Sequence, residues 1–467
     1  MIDLQLAVRN LLRNRRRSFA TFIALVIGAA SILLFGGYRA NIQYSMHTAY
    51  VRDGGHLQIQ HRDFFLYGSG NPALYGIVGY TKIIAAIRGD EVLRGSVAVV
   101  TPRLQFGGIA SNYRADVSRT VLGMGMVPGD HKRMHDWNEF QLPLAKPEFP
   151  LEGAGADAAI IGIGVARVLQ LCEALKIVDC PRPVQAADAG PGPGDDLPAD
   201  LAALAQRDQV VAAAAPAGPP RLELLASGAG GAPNVVSLAI VRAERQGFKE
   251  FDEVALMLQL PQAQRLVYGR SEPKATSILI QLHRTDQLPM VIERLERLLQ
   301  AHAAGQPLTV LDFRQLNPFF VQTVQMFDTI FGFIFVLIAA IVLFTVSNTM
   351  GTAVMERTVE IGTIRALGLR RGGVQRLFLL EGTLLGVTGA VAGAMLAVLL
   401  AAAINAMGLT WLPPGSGDRL PLILLVWGQT RMIAGTTLGL IVIATLSAWW
   451  PARRASQLVI VDALRHI

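Results

Sequence analysis

The residues best placed to do chemistry in this chain are Glu356, Arg357, Glu360 and Arg365, and that chemistry is recognition rather than catalysis. They lie in a charged, helix-compatible segment, Ala353-Val-Met-Glu-Arg-Thr-Val-Glu-Ile-Gly-Thr-Ile-Arg-Ala-Leu-Gly-Leu-Arg-Arg-Gly372, between two long apolar stretches, Ile330 to Met350 and Leu377 to Met407. Val359, Ile361, Ile364, Ala366 and Leu367 supply apolar contacts in the same segment. Glu356 and Glu360 stand four apart and so share a helix face, whereas Glu360 and Arg365 are five apart and need not pair. Such a helix can dock into a partner's groove, its apolar side chains giving affinity and its charges giving register. The plainer alternative is a set of charges that only holds a loop at a membrane surface. Gly362, Gly368, Gly372 and Gly373 limit bulk and allow a tight turn.

Catalytic motifs are absent. The chain has no Gly-x-x-x-x-Gly-Lys-Ser/Thr loop and no His-Glu-x-x-His. Gly190-Pro-Gly-Pro-Gly194 lacks a following strand and helix, and Gly162-Ile-Gly164 lacks the rest of a dinucleotide fingerprint. Gly415-Ser416-Gly417 does not match a nucleophile elbow. Two cysteines, Cys172 and Cys180, without a nearby His cannot fill a tetrahedral metal site. They could form a disulfide or stay as two thiols. His56 and His61 fall on opposite faces of a strand and read as surface residues rather than ligands. The chain is therefore expected to be non-catalytic, with no metal and no cofactor of its own.

The elements that must position the charged segment are membrane spans. Of 467 residues 52% are hydrophobic and only 16% charged, and the mean hydropathy is +0.40; soluble domains carry about 25% charge. A span needs about 20 mostly apolar residues. Four stretches qualify: Phe19 to Tyr38, Phe327 to Met350, Leu377 to Met407 and Met432 to Trp450. Leu420 to Trp427 is a short apolar run that reads as an interfacial or re-entrant approach to the last span. The first span has the basic start of a cleaved leader, but its length and the poor cleavage site at Gly36-Gly-Tyr-Arg39 favour an uncleaved anchor.

Basic residues orient these spans. Arg9, Arg13, Arg15, Arg16 and Arg17 precede the first; Arg357, Arg365, Arg370, Arg371 and Arg376 lie between the second and third; Arg453, Arg454 and Arg465 follow the fourth. The net charge of +7 thus reads as topology rather than nucleic-acid binding, with both termini and the middle loop cytoplasmic. Arg13, Arg15, Arg16 and Arg17 could also clamp lipid headgroups. Trp411, Trp427, Trp449 and Trp450 fall near span ends, as an aromatic belt would have them. The expected layout is a cytoplasmic segment at 1–18, spans at 19–38, 327–352, 375–407 and 431–450, and a far-side domain at 39–326. A cytoplasmic loop at 353–374, a far-side loop at 408–430 and a cytoplasmic tail at 451–467 complete it.

In the third span Gly382, Gly386, Gly389 and Gly393 form a small-residue row that permits close helix packing, within the chain or between copies. Glu381 beside them is costly in lipid and must pair with a base or reach the surface. The far-side domain mixes strand patterns (residues 56–61, 97–100, 276–282 and 308–312) with helix patterns (81–93 and 288–299). One α+β subdomain built from both ends, with a second inserted in the middle, accommodates this order. Pro181 to Pro220 is rich in Ala, Pro and Gly and reads as a flexible insertion.

Three segments carry a family resemblance. Ala7-Val-Arg-Asn-Leu-Leu-Arg-Asn-Arg-Arg-Arg-Ser18 is similar to an amphipathic N-terminal helix. Asn348 through Gly368, followed by Leu380-Glu-Gly382, resembles a cytoplasmic loop and the start of a third span. Trp450-Pro-Ala-Arg-Arg-Ala-Ser456 with Asp462-Ala-Leu-Arg465 resembles a C-terminal signature. The chain resembles FtsX/MacB/LolC-type (type VII) ABC transporter permeases over roughly its first 40 and last 140 residues. In the far-side domain, Lys249-Glu-Phe-Asp-Glu253 and Leu258 to Leu266 resemble a recurring pattern more loosely.

The resemblance implies a fold of four transmembrane helices with a large α+β periplasmic domain inserted between the first and second. It implies a multi-pass protein of a bacterial inner membrane, working as one of two permease copies, identical or not, with two cytoplasmic ABC ATPase subunits that hold ATP and Mg. Glu356, Arg357, Glu360, Ile361, Ile364, Arg365, Leu367 and Gly368 would form the ATPase-coupling helix. Motion of the periplasmic domain (mechanotransmission) would serve export or the release of lipoproteins or lipids. A periplasmic fusion protein, a lipoprotein or a substrate-binding protein would be further partners. The competing reading is an FtsX-like scaffold that regulates a periplasmic hydrolase without transport.

Overall fold

The structure, a computed structural model, describes residues 2–13, 15–144, 149–178, 180, 218–228, 230–247, 249–303, 305–411 and 419–460. The expected flexible insertion lies outside the described residues except for 218–220, as does Asp462-Ala-Leu-Arg465. The chain runs through α1 (Ile2–Arg13), α2 (Arg15–Gly54), β1 (Leu57–His61), α3 (Tyr80–Gly89), β2 (Val97–Asn112), β3 (Val117–Met126) and α4 (Pro128–His135). It continues with β4 (Ala158–Gly162), α5 (Ile163–Val168), β5 (Arg221–Ser227), β6 (Pro233–Glu244), β7 (Ala255–Gln259), α6 (Leu260–Tyr268), β8 (Ser277–Leu282), α7 (Leu288–His302) and β9 (Leu308–Asp312). The last helices are α8 (Pro318–Glu356), α9 (Thr358–Ala366), α10 (Arg371–Ala406) and α11 (Thr430–Gln457).

Two compact units result. One gathers the described residues of Met1–Ser45, Phe319–Trp411 and Leu420–Ile467; the other holds those of Met46–Pro318 and Leu412–Arg419. In the first, α2, α8, α10 and α11 are long and apolar enough to cross a membrane. α2 and α8 have 40 and 39 residues, or about 60 Å each, roughly twice a bilayer's hydrocarbon core. They outrun the apolar windows because hydropathy marks only the lipid-buried stretch, while the backbone hydrogen bonding of a helix continues through polar residues. Phe333, Val336, Ile341 and Phe344 stay exposed on α8, as a lipid-facing helix requires and a water-facing one does not. Leu424 and Val426 are buried against Ala30, Leu33, Ala397 and Ala401. Asn405 holds Leu424 by both its backbone groups, at 3.1 and 2.8 Å. The 420–427 run thus folds back irregularly against helices.

The second unit is α+β, and β2 is its central strand. The first half of this 16-residue strand pairs antiparallel with β8, which pairs with β1, which pairs with β9. Its second half pairs with both β3 and β5. From there β3 pairs with β7, β7 with β4, β4 with β6 and β6 with β5, so six strands close into a ring. Phe106, Leu104, Leu224, Leu258 and Ile240 are buried in its core. Gly123 leaves room for the Phe106 ring, which a Cβ there would strike. The sequence pattern captures only Val97 to Val100 of β2. Pro102, Gly107 and Gly108 look like strand breakers, but pairing with several neighbours overrides local preference. The 81–93 helix is likewise broken: Asp90 accepts N–H bonds from Val92 and Leu93, each at 3.0 Å, and starts a separate turn. Cys172 and Cys180 are joined as a disulfide.

The reading of His56 as a surface residue is wrong. His56 is fully buried, because β1 is an interior strand with cover on both faces. Its Nδ1 accepts the Leu282 N–H at 3.0 Å, and its Nε2 lies 3.2 Å from Thr285 Oγ1. That hydroxyl donates to Glu139 at 2.6 Å, leaving it free to accept from a neutral Nε2–H. Burial, then the nearby His47, push the pKa of His56 down to about 3. Burial and then His135 hold His131 at about 3 also. The unfolded chain, with histidines near 6.5, takes up protons that the folded one refuses between these values. Stability from these groups is complete above about pH 6.5 and lost progressively as pH falls toward about 3. The thermal midpoint followed by near-ultraviolet circular dichroism should decline across this window. His56→Asn, which keeps an acceptor for Leu282, should decline less steeply; identical slopes would contradict this account.

Candidate functional site

The candidate site is built at one end of the helical unit, where α1, the α8–α9 junction and α10 meet. α8 ends at Glu356 and α9 begins at Thr358, with Arg357 between them at φ −106° and ψ 16°. This break turns Arg357 inward. Its Nη1 donates to Glu381 Oε1 at 3.0 Å, and its Nη2 to the Asn10 carbonyl at 3.1 Å. Asn10 Nδ2 donates to the same Glu381 oxygen at 2.7 Å. Arg357 and Glu381 are 6% and 1% exposed, so this is a buried pair whose charges are met by each other and by amide hydrogen bonds.

Two exposed pairs lie beside it. Arg13 reaches Glu360 at 2.7 Å, and Arg17 reaches Glu356 at 2.5 Å. Arginines four apart meet glutamates four apart in reverse order. Being roughly half exposed, each pair is worth at most about 1 kcal/mol and acts mainly on register. Arg13 and Arg17 thus face the charged segment while staying exposed, as Arg15 and Arg16 are. Arg365 donates to the Leu458 carbonyl, tying α9 to the chain after α11.

The expected coupling residues divide into two faces. Ile361 is buried with Val354, Val374 and Phe378, and Arg357 is buried as described, so neither is presented outward. Glu356, Glu360, Ile364, Leu367 and Gly368 are exposed, and Arg365 is half-buried. Leu367 is 83% exposed, and Val359 and Met355 are exposed as well. Gly368 sits at φ +105°, ending the segment in a conformation that favours glycine. The outer face is thus apolar at Val359, Ile364 and Leu367 and acidic at Glu356 and Glu360.

The glycine row of α10 packs within the chain. Gly382 lies against Ala448 and Gly386 against Ala444, both on α11; Gly389 lies against Leu25 and Gly393 against Ala29, both on α2. A Cβ at Gly382 would strike Ala448; one would come within 2.9 Å of Ala444 at Gly386, and within 2.6 Å of Leu25 at Gly389 and of Ala29 at Gly393. Hydroxyl contacts reinforce the bundle, Thr21 with Thr349 at 2.7 Å and Thr383 with Thr445 at 3.1 Å. Sequence reading missed Asn10, which carries no signal: its partners lie some 350 residues away. Among the described residues no group of three or more His, Cys, Asp or Glu could hold a metal ion.

Residues 330–460 match the model of the FtsX-like permease C-terminal family. An ABC transporter permease of Methanocaldococcus jannaschii is 25% identical over 218 residues, covering 46% of this chain and 51% of the relative. The lipoprotein-releasing system transmembrane protein LolC of Neisseria meningitidis is 27% identical, covering 51% and 57%. The macrolide export ATP-binding/permease protein MacB of Sodalis glossinidius is 33% identical, covering 29% and 19%. The chain therefore spans about half the length of the first two relatives, and less of the third. It is a multi-pass membrane protein whose residues 330–460 are those of an FtsX-like permease, and it is similar to ABC transporter permeases of the FtsX/MacB/LolC type, the type VII group. The site just described falls largely inside the matched residues.

Removing one partner of the buried pair leaves an uncompensated charge, which costs about 3–5 kcal/mol, whereas replacing both with apolar side chains is far better tolerated. Arg357→Met should therefore lower the thermal midpoint in detergent strongly, and Arg357→Met with Glu381→Met should recover most of the loss. Additive losses would contradict the pairing. Gly389→Leu should destabilise by several kcal/mol through overpacking against Leu25, while Gly435→Leu on α11, where a Cβ meets nothing within 4 Å, should be tolerated in the same melting experiment.

Proposed function

We propose that this chain is the permease subunit that couples ATP hydrolysis by a separate cytoplasmic ATPase to motion of its α+β unit. The observation that carries this reading is the outer face of α9. Exposed Val359 and Ile364 on this short helix, with Leu367 just after it, accompany Glu360 and the flanking Glu356, and the Arg357–Glu381 pair lies at its start. A helix presented this way suits a groove on a partner, with apolar anchors for affinity and flanking charge for orientation. Family membership makes an ABC ATPase the natural occupant, and the 467 residues contain no P-loop of their own. Two ATPase copies would hold ATP and Mg, and a second permease copy would complete the assembly.

The arginine distribution supports cytoplasmic termini and a cytoplasmic α9, with the α+β unit on the far side of a bacterial inner membrane. The related LolC is named for lipoprotein release and the related MacB for macrolide export. The work done is accordingly export, or extraction of lipoprotein or lipid, by mechanical transmission.

The test is copurification of the full chain with its ATPase in mild detergent, with ATP hydrolysis measured on the complex. The native chain should retain a P-loop ATPase. Ile364→Asp with Leu367→Asp, and separately Glu360→Lys with Arg365→Glu, should reduce retention at least about tenfold, the weight of one or two lost anchors. If a folded native chain retains no ATPase, the reading fails and a scaffold that regulates a periplasmic hydrolase takes its place.

A further inference from the structure

The α+β unit carries a cleft that the coupling reading does not use. It encloses about 200 Å3 and is lined by Ile163, Arg167, Arg245, Lys249, Asp252 and Glu253. Three of these belong to the Lys249-Glu-Phe-Asp-Glu253 pattern singled out in the sequence. The two carboxylates are already engaged. Asp252 is buried and accepts backbone N–H groups from Ile163 and Gly164, both at 2.9 Å, and from Gln246 at 3.1 Å. Glu253 pairs with Arg119 at 3.1 Å. Gly164 fixes the wall between them, since a Cβ there would come within 2.8 Å of the Glu253 Cα.

Two of its cations, Arg167 and Lys249, stand in the opposite state. The Nε–H of Arg167 is buried and meets no acceptor among the described residues. No ion pair or hydrogen bond engages the Arg167 or Lys249 side chains among those residues. A buried donor without an acceptor costs free energy until one arrives. A guanidinium presents a planar fork that matches oxyanion geometry, and an ammonium adds a compact charge. Two unengaged cations in one cleft, with its carboxylates spent internally, suit the roughly −1.5 to −2 charge of a phosphate monoester better than the single charge of a carboxylate. The volume is many times the roughly 10–15 Å3 that one water needs on the same measure, which leaves room for a phosphate.

We propose that this cleft binds a phosphate group, held by Arg167 and Lys249 with Arg245 at its rim. The phosphate is either free in solution or part of a lipid headgroup.

The experiment is calorimetric titration of the full chain, in phosphate-free non-ionic detergent at low salt, with inorganic phosphate as the probe. Saturable one-site binding is expected. Arg167→Gln and Lys249→Gln should each weaken it at least about tenfold, as loss of a charge-assisted bond would. Arg284→Gln, at an exposed arginine paired with Asp286 elsewhere in the unit, should leave it unchanged. Lys249 is exposed, so Lys249→Gln keeps the test valid even if Arg167→Gln fails to fold. The source is then separated in nanodiscs of phosphatidylcholine with or without phosphatidic acid. Loss of phosphate binding when phosphatidic acid is present assigns the site to a lipid headgroup, and unchanged binding assigns it to soluble phosphate. No saturable binding by the native chain, or binding that Lys249→Gln and a folded Arg167→Gln leave intact, would overturn the proposal.

Discussion

A carboxylate placed in an apolar helix bundle has to be met by a cation, and that requirement organises the working end of this permease. Glu381 sits near the start of α10 with almost no exposure, and Arg357 and Asn10 converge on one of its oxygens. Desolvating both charges is expensive, so the pair persists only because its geometry is good and its remaining polar atoms are satisfied. The consequence is positional. One cluster fixes the N-terminal helix, the break between α8 and α9, and the start of α10, three elements with no reason of local propensity to meet. The exposed pairs Arg13–Glu360 and Arg17–Glu356 add little energy but select one register for α1 and α2 along the α8–α9 junction.

The same helix α10 carries that anchorage into the bundle. Its four glycines divide between two neighbours, two against α11 and two against α2, so backbones approach where side chains would hold them apart. In a bilayer, where apolar surface gains nothing by leaving lipid, such close packing and the hydroxyl contacts between helices supply much of the cohesion. In the proposed cycle a push on α9 reaches α10 through Arg357 and Glu381, and the glycine contacts pass it on to α2 and α11. A polar joint resists sliding, and closely packed small residues transmit displacement with little slack.

The α+β unit rests on a different device. β2 serves two assemblies along its length, a four-stranded antiparallel sheet and a ring of six strands. One covalent strand running through both binds the region built from the ends of the domain to the region built from its middle. The buried histidine and aromatic group around His56, Trp137 and Phe313 lies on the sheet side of that strand. The cationic cleft lies on the ring side, beside α5.

The sequence by itself determined what depends on composition and local period. Runs of apolar residues marked the four spans, and arginine placement pointed to their orientation. The charged segment at 353–372 and its flanking motifs carried the family resemblance, and the lone Glu381 announced that it must pair with a base or reach the surface. These signals survive in one dimension because lipid acts on every residue of a span in the same way. Tertiary structure decided everything that joins distant residues. It turned Arg357 and Ile361 inward, away from the exposed face of the segment, brought Asn10 to Glu381, and drew Arg13 to Glu360 on α9 and Arg17 to Glu356 at the end of α8. It also buried His56, and extended β2 through a proline and two glycines. The physical reason is common to all of them. A side chain's partner and its exposure are set by packing between elements far apart in the chain, and no local propensity encodes that distance.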